Sequence, residues 1–426
     1  MPKKSQKQEA YKSFDFILFI TVLLLLALGI TMVLSASSPS SLATTGSSYT
    51  FVLKQLLSAA IGVAAMIVLS KIDYKQYAKF YKIAYAGALI VLLLVLVPGL
   101  GRTVNGARRW IALPIVSSFQ PSELTKIGVI VFYAVFLTKH KDELKNIWKG
   151  FFKPFLILAP IILVLLGIQT HLSASVIIIL VVAVMMIVAG SKISHFVTFG
   201  TIGATGLIGG MFALAKWFGI GGFRLTRITA FLNPWADAQG SGWQIIQSLY
   251  AIGSGGLFGV GLGDSKQKYL YISEPHNDFI FAVLEEELGF IGCLAVILLF
   301  AVFIWRGIVI AMKAPDMFGS LLATGITALI GLQAIINIAV VTSSMPVTGM
   351  ALPFFSYGGT SLIILLCAVG VLLNISRQSN RIYIEREKGD RVIFPSRFNN
   401  SLILCKLVKK RGKNYSVPIF PLNFGG

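Results

Sequence analysis

Charge is scarce in this chain of 426 residues: only 13% are Asp, Glu, Lys or Arg, and the acids number 17. With 56% hydrophobic residues and a mean hydropathy of +0.80, the chain lacks the polar surface of a soluble domain, so a soluble multidomain enzyme is excluded. Cysteine is rarer still. Cys293, Cys367 and Cys405 fall in two apolar runs and a basic tail, where no pair shares a loop open to oxidation, which speaks against disulfides and a thiolate metal site. The four histidines, His140, His171, His195 and His276, stand apart without His-x-x-x-His spacing, so a zinc centre is disfavoured. The stretch Gly259-Val-Gly261-Leu-Gly263 lacks a following Lys-Ser or Lys-Thr and a strand-helix setting, and does not read as a nucleotide fingerprint.

What the chain does have is long apolar runs, at about 14–36, 51–70, 83–99, 121–138, 154–168, 172–190, 195–216, 279–305, 318–341 and 358–376. A bilayer needs about 20 apolar residues per helical crossing. The sequence therefore predicts an all-α polytopic membrane protein of about ten transmembrane helices, with a long extracellular loop between spans 7 and 8. The net charge of +20, from 37 Lys+Arg, reads as topology rather than nucleic-acid binding. With both termini cytoplasmic, Lys3, Lys4, Lys7, Lys12, the even-numbered loops and the tail hold most of the basic residues. The opposite side has Arg102, Arg108, Arg109, Arg224, Arg227, Lys266 and Lys268. The organisation expected is a cytoplasmic tail over 1–13, a membrane domain over 14–376, and a basic cytoplasmic tail over 377–426 that either touches anionic lipid or is simply solvated. Extracellular loops are expected at about 100–120, 217–278 and 342–357. The first run ends in Ser-Ala-Ser-Ser, like a cleavable signal, but its apolar core is too long for one and it reads as an uncleaved helix.

Polar chemistry concentrates at the outer loops. Pro121 suits a first helical turn, and Glu123 and Lys126, three apart, would share a face of it, either as a cavity pair or as a structural ion pair. Arg108 and Arg109 beside Trp110 would bind a diphosphate-bearing lipid or act as interfacial anchors. The glycine-rich stretch 253–263 would let backbone approach a ligand closely. Asp278 stands at the start of the eighth span with Glu285, Glu286 and Glu287 two turns deeper. Proton transfer, cation coordination or a buried salt-bridge network would each account for these acids, and a helix cap would account for Asp278. The uncharged segment 343–361 carries Pro346 and Pro353 and reads as a re-entrant stretch lining a cavity, or else as an exposed turn.

Four stretches carry a resemblance: Asn105-Gly-Ala-Arg-Arg-Trp-Ile, Phe119-Gln-Pro-Ser-Glu-Leu-Thr-Lys126, Glu274-Pro-His-Asn-Asp-Phe-Ile-Phe-Ala with Glu286-Glu-Leu-Gly-Phe, and Pro346-Val-Thr-Gly with Leu352-Pro-Phe-Phe-Ser-Tyr-Gly-Gly-Thr-Ser. Over about 14–380 the sequence resembles the SEDS family (shape, elongation, division and sporulation), whose members include FtsW, RodA and SpoVE. The resemblance implies a peptidoglycan glycosyltransferase that polymerises lipid II, the undecaprenyl-diphosphate-linked disaccharide-pentapeptide, at the outer face of the bacterial cytoplasmic membrane. It works beside a class B penicillin-binding transpeptidase. Asp278 matches the family's essential aspartate as general base, Glu123 and Lys126 its cavity pair, and Arg108 and Arg109 its outer-loop arginines. Ser356, Gly358 and Gly359 fall in the last motif and are expected at the substrate. The acid run leaves room for a divalent cation, magnesium or manganese, without any dedicated metal motif. The sequence departs from the family pattern at Gln169-Thr170-His171-Leu172-Ser173, where many relatives carry an acidic motif and where His171 is left without a role, and at Asn277 and Glu285. A lipid II flippase would use the same cavity and arginines, and polar residues at the cytoplasmic side of the spans would favour it.

Overall fold

The computed structural model describes residues 14–104, 107–111, 119–218, 223–269, 275–387, 404–410 and 413–419. The membrane unit opens with α1 (Phe16–Thr45), α2 (Thr50–Leu69) and α3 (Tyr81–Leu93), followed by a hairpin of β1 (Gly101–Val104) and β2 (Ala107–Ile111). It continues with α4 (Pro121–Lys139), α5 (Lys153–Leu163), α6 (Leu172–Ala189) and α7 (Ile193–Phe218). Then come α8 (Phe223–Leu232), α9 (Trp243–Gly255), α10 (Ile280–Lys313), α11 (Met317–Val341) and α12 (Gly359–Glu387). Among the described residues, nine helices are long and apolar enough to cross a membrane. The expected span at 195–216 coincides with α7, a helix of 26 residues, many of whose side chains lie outside the described ones.

Local chemistry sets the ends. Asp15 caps α1 by accepting from Leu18 N–H at 3.0 Å, and Asp316 caps α11 by accepting from Gly319 N–H at 2.7 Å. Pro121 takes the first position of α4, as the sequence predicts. The serine-rich end of the first run is helical rather than a cleavage site, because Ser35, Ser37 and Ser41 are buried against protein. The fifth span runs longer than expected, Trp148–Ile168, with a π-helical turn at each end of α5.

The core lies around α11, most of whose residues are buried against α4, α6 and α10. α1 packs on α2 and α10. Irregular backbone over 342–358 inserts among these helices, with Leu352, Phe354 and Phe355 fully buried. The alternative of an exposed turn is thereby corrected: an apolar irregular segment finds its partners inside the protein. Gly29 of α1 makes room for it, since a Cβ there would stand 2.2 Å from the Phe354 carbonyl.

The long loop between α7 and α10 is not irregular, as it contains α8 and α9. A second unit, Tyr383–Gly426, holds an antiparallel hairpin of β3 (Leu404–Lys410) and β4 (Lys413–Ile419).

Candidate functional site

Asp278 lies in the turn immediately before α10, and its backbone is fixed from three elements. Asn337 of α11 donates its side-chain amide to the carbonyls of Asp278, at 2.8 Å, and Met350, at 2.6 Å. Ser356 donates its hydroxyl to Asn277 O and accepts from Leu352 N–H, both at 2.7 Å. Tyr357 N–H donates to His276 O at 2.8 Å, and the His276 ring packs against Phe51 and Tyr357. The cap position of α10 is Phe279, so Asp278 is not its helix cap. Instead its carboxylate faces Gly349, where a Cβ would stand 3.2 Å from Oδ2. With φ +68°, Gly349 meets both the steric and the conformational demand of that contact.

Two arginines face this carboxylate. Arg109 of β2 donates to Gln169 O at 3.0 Å and Thr170 O at 2.8 Å, holding a turn in which Thr170 takes φ +49°, a costly conformation for a β-branched residue. Arg227 of α8 donates to Val347 O at 2.9 Å, and Ser173 donates its hydroxyl to Thr348 O. Residues 347, 348 and 349 are thus held by α8, by α6 and beside Asp278. Burial lowers the basicity of both guanidiniums, and Arg227 adds to the effect at Arg109. The Asp278 carboxylate pushes each the other way, so one acid and two cations share a field.

Arg108 takes no part in that field. The β1–β2 register slips at Arg109, which stands unpaired between the paired Arg108 and Trp110, and Arg108 donates to Val97 O at 3.1 Å. Of the three residues expected at the substrate, Ser356 holds the turn at Asn277 beside Asp278, while Gly358 and Gly359 lie where the segment after it enters α12. Ser356 spends its hydroxyl on backbone, Gly358 N–H donates to Gln55 Oε1 at 3.2 Å, and Gly359 opens α12.

Glu123 and Lys126 form the expected ion pair in the first turn of α4, at 2.7 Å and 12% and 4% exposed. His171 connects this pair to Arg109. It hydrogen-bonds Gln120 at 3.4 Å, and its pKa is pushed down to about 3 by burial first, then by Arg109 and Lys126. The neutral imidazole leaves the charges of Arg109 and Lys126 uncancelled from this position.

The acids deeper in α10 have other partners. Glu286 accepts from Ser265 Oγ, Lys266 N–H and Gln267 N–H, while Glu287 pairs with Lys268 at 2.9 Å and Ser35 at 2.5 Å. Glu285 hydrogen-bonds Cys293. Among the described residues, no three His, Cys, Asp or Glu side chains are grouped to hold a metal ion. Three of the four carboxylate oxygens of Glu286 and Glu287 are committed to serines, amides and a lysine, while Glu287 Oε2 is buried without a hydrogen-bond partner. The glycine stretch also differs from expectation: its close approach is to α10 itself, where a Cβ on Gly259 would stand 2.1 Å from Glu287 O.

Sequence reasoning missed Arg227 and Asn337. Arg227 breaks the charge asymmetry of the loops just as Arg109 does, which was the available signal. Asn337, a lone amide in an apolar span, carried the other.

A family model described as cell cycle protein, FtsW/RodA/SpoVE, matches residues 15–381. The chain belongs to this family. Among its FtsW/RodA/SpoVE relatives, it is 46% identical to Stage V sporulation protein E of Bacillus subtilis (strain 168) over 86% of this chain and 97% of that one. It is 44% identical to the Probable peptidoglycan glycosyltransferase FtsW of Geobacter sp. (strain M18), with the same shares covered. A solved structure described as structural coordination of polymerization and crosslinking by a peptidoglycan synthase complex matches with TM-score 0.70 at 28% identity, over 86% of this chain and 98% of that one. Rod shape determining protein RodA of Thermus thermophilus matches with TM-score 0.62 at 27% identity, over the same shares.

Proposed function

We infer that this chain is a peptidoglycan glycosyltransferase that polymerises lipid II at the outer face of the cytoplasmic membrane, with a class B penicillin-binding transpeptidase as partner. FtsW relatives bear the name of that activity, and a matching structure is described as a peptidoglycan synthase complex. The observation that carries the chemistry is one carboxylate, Asp278, set in the field of Arg109 and Arg227. Asp278 takes the proton of the acceptor sugar 4-hydroxyl. The freed oxygen attacks the donor anomeric carbon from the side opposite its diphosphate, the C1–O bond to that diphosphate breaks, and an α linkage becomes β-1,4. Arg109, Arg227 and Lys126 offset the negative charge on the departing undecaprenyl diphosphate, and Glu123 holds Lys126 in place.

The flippase reading keeps one observation. Asp15 and Arg306 form a half-buried pair at the end of the bundle opposite Asp278, so ionisable groups are not confined to the site end. That pair ties α1 to α10, and Asp15 N–H donates to Ser376 Oγ of α12 at 3.0 Å, which is the geometry of a lock.

The test is strand synthesis from labelled lipid II by the purified protein with its transpeptidase partner, comparing wild type with Asp278→Asn. Glycan strands from the wild type and none from a folded variant are expected. Equal strand yield from both would remove Asp278 as the base, and no strands from either would turn attention to vesicle transport of lipid II.

A further inference from the structure

Lys268, Glu286 and Glu287 are buried charges that the reaction above does not use, and burying charge is costly unless it serves a purpose. Their purpose lies in a break in α10. Gly289 has φ +67° and ψ −171°, so the helix stops there and restarts. The short arm Ile280–Leu288, with Asp278 just ahead of it, is therefore not held by continuity with the long arm that follows. Something else must set its place.

Two devices do so. The backbone of 256–261 straps both arms: Gly256 O and Leu257 O accept from Phe290 and Ile291 N–H, at 2.9 and 3.2 Å, while Val260 and Gly261 N–H donate to Glu286 O and Glu287 O, at 2.9 and 3.1 Å. The second device is ionic. Lys268 Nζ, from the loop, lies 2.9 Å from Glu287 Oε1 and 3.0 Å from Ser35 Oγ, so that loop, short arm and α1 meet at one point. Both charged side chains are buried, at 3% and 0% exposure.

We propose that Lys268 and Glu287 are positioning residues for Asp278: their ion pair, closed onto Ser35, fixes the short arm that follows the Asp278 turn against α1. The turn itself is held at His276, Asn277 and Asp278 by Tyr357, Ser356 and Asn337, and the short arm that follows it is the side the ion pair secures. The proposal rests on Asp278 being the general base. Substrate binding, which falls to Arg109, Arg227 and Lys126, is not touched by the pair. Releasing it moves the base relative to a substrate that still binds, and a misplacement of about 1 Å costs a rate up to about 100-fold.

The experiment uses the full chain with its transpeptidase partner and labelled lipid II. The paired variant Lys268→Met with Glu287→Gln removes both charges and keeps the volume. It is expected to remain folded, with kcat down about 10-fold or more and KM for lipid II within about 2-fold of wild type. Lys268→Arg keeps the pair and is expected to hold kcat within about 3-fold. A folded paired variant with wild-type kcat, or one whose KM alone rises, overturns the proposal. If the paired variant does not fold, Ser35→Ala decides, since it leaves no charge alone: an unchanged kcat overturns the proposal and a lowered kcat at unchanged KM supports it. Asp278→Asn is run alongside. Strands from that variant would overturn the base assignment and the proposal with it, whereas an inactive Asp278→Asn beside a fully active paired variant overturns the positioning role alone.

Discussion

At the scale of residues, adjacent arginines have different fates. Arg108 and Arg109 read alike in the sequence, yet Arg108, paired with Thr103, reaches Val97 O, while Arg109, at the irregularity of the hairpin, lies in the field of Asp278. Arg109→Gln is therefore expected to lower kcat/KM for lipid II by about 100-fold, and Arg108→Gln by no more than about 3-fold, in steady-state strand synthesis. Equal effects would contradict the geometry. The histidines make a second prediction. His171 and His276 are held neutral, with pKa values pushed down to about 3 and about 4, chiefly by burial. An unfolded histidine titrates near 6.5, so between that pH and about 4 the unfolded chain binds protons that the folded chain does not. Stability is then full above pH 6.5 and falls as pH drops through that window. Melting curves in detergent at pH 7.5 and 4.5 should show the loss, and His171→Gln with His276→Gln should flatten it.

At the scale of elements, the break in α10 and the long loop belong together. Gly259 and Gly289 approach each other so closely that a Cβ on Gly289 would stand 2.3 Å from Gly259 N, and both take positive φ. Gly289→Ala is expected to destabilise the protein by roughly 3 kcal/mol, from backbone strain and overlap together. A melting temperature unchanged from wild type would show that the strap yields. The sequence marked 253–263 as a place of close backbone approach, and at Gly255 and Gly259 the neighbour is the backbone of α10. Glycine reports that something comes near, while the identity of the neighbour is set by packing. The acids of α10 illustrate the same limit: a salt-bridge network was one of the readings open to them, and it became specific only when the loop delivered Lys268 and Ser265.

At the scale of the whole molecule, the protein is a polytopic membrane domain joined to a basic second unit. The family match ends at residue 381, and every group assigned to the reaction lies before it. Removal of 388–426 is therefore expected to leave lipid II polymerisation by the purified protein within about 2-fold of wild type, measured in the same strand assay. A loss of activity would assign the tail a role in the reaction itself. The spans were legible because partition into hydrocarbon depends on local composition, which about 20 residues suffice to express. The Glu123–Lys126 pair was legible because a spacing of three places both on one helical face. The field around Asp278 was not, for Arg109, Arg227, His171 and Gly349 come from β2, α8, the turn before α6 and the segment after α11. Sequence alone determined that this chain resides in a bilayer, in about ten helices, with an acid and several cations as its candidates for chemistry. Only the tertiary structure decided which arginines lie in the field of the acid, which serine holds its turn and what straps the break in α10, because contacts between distant segments follow from packing and burial rather than from local composition.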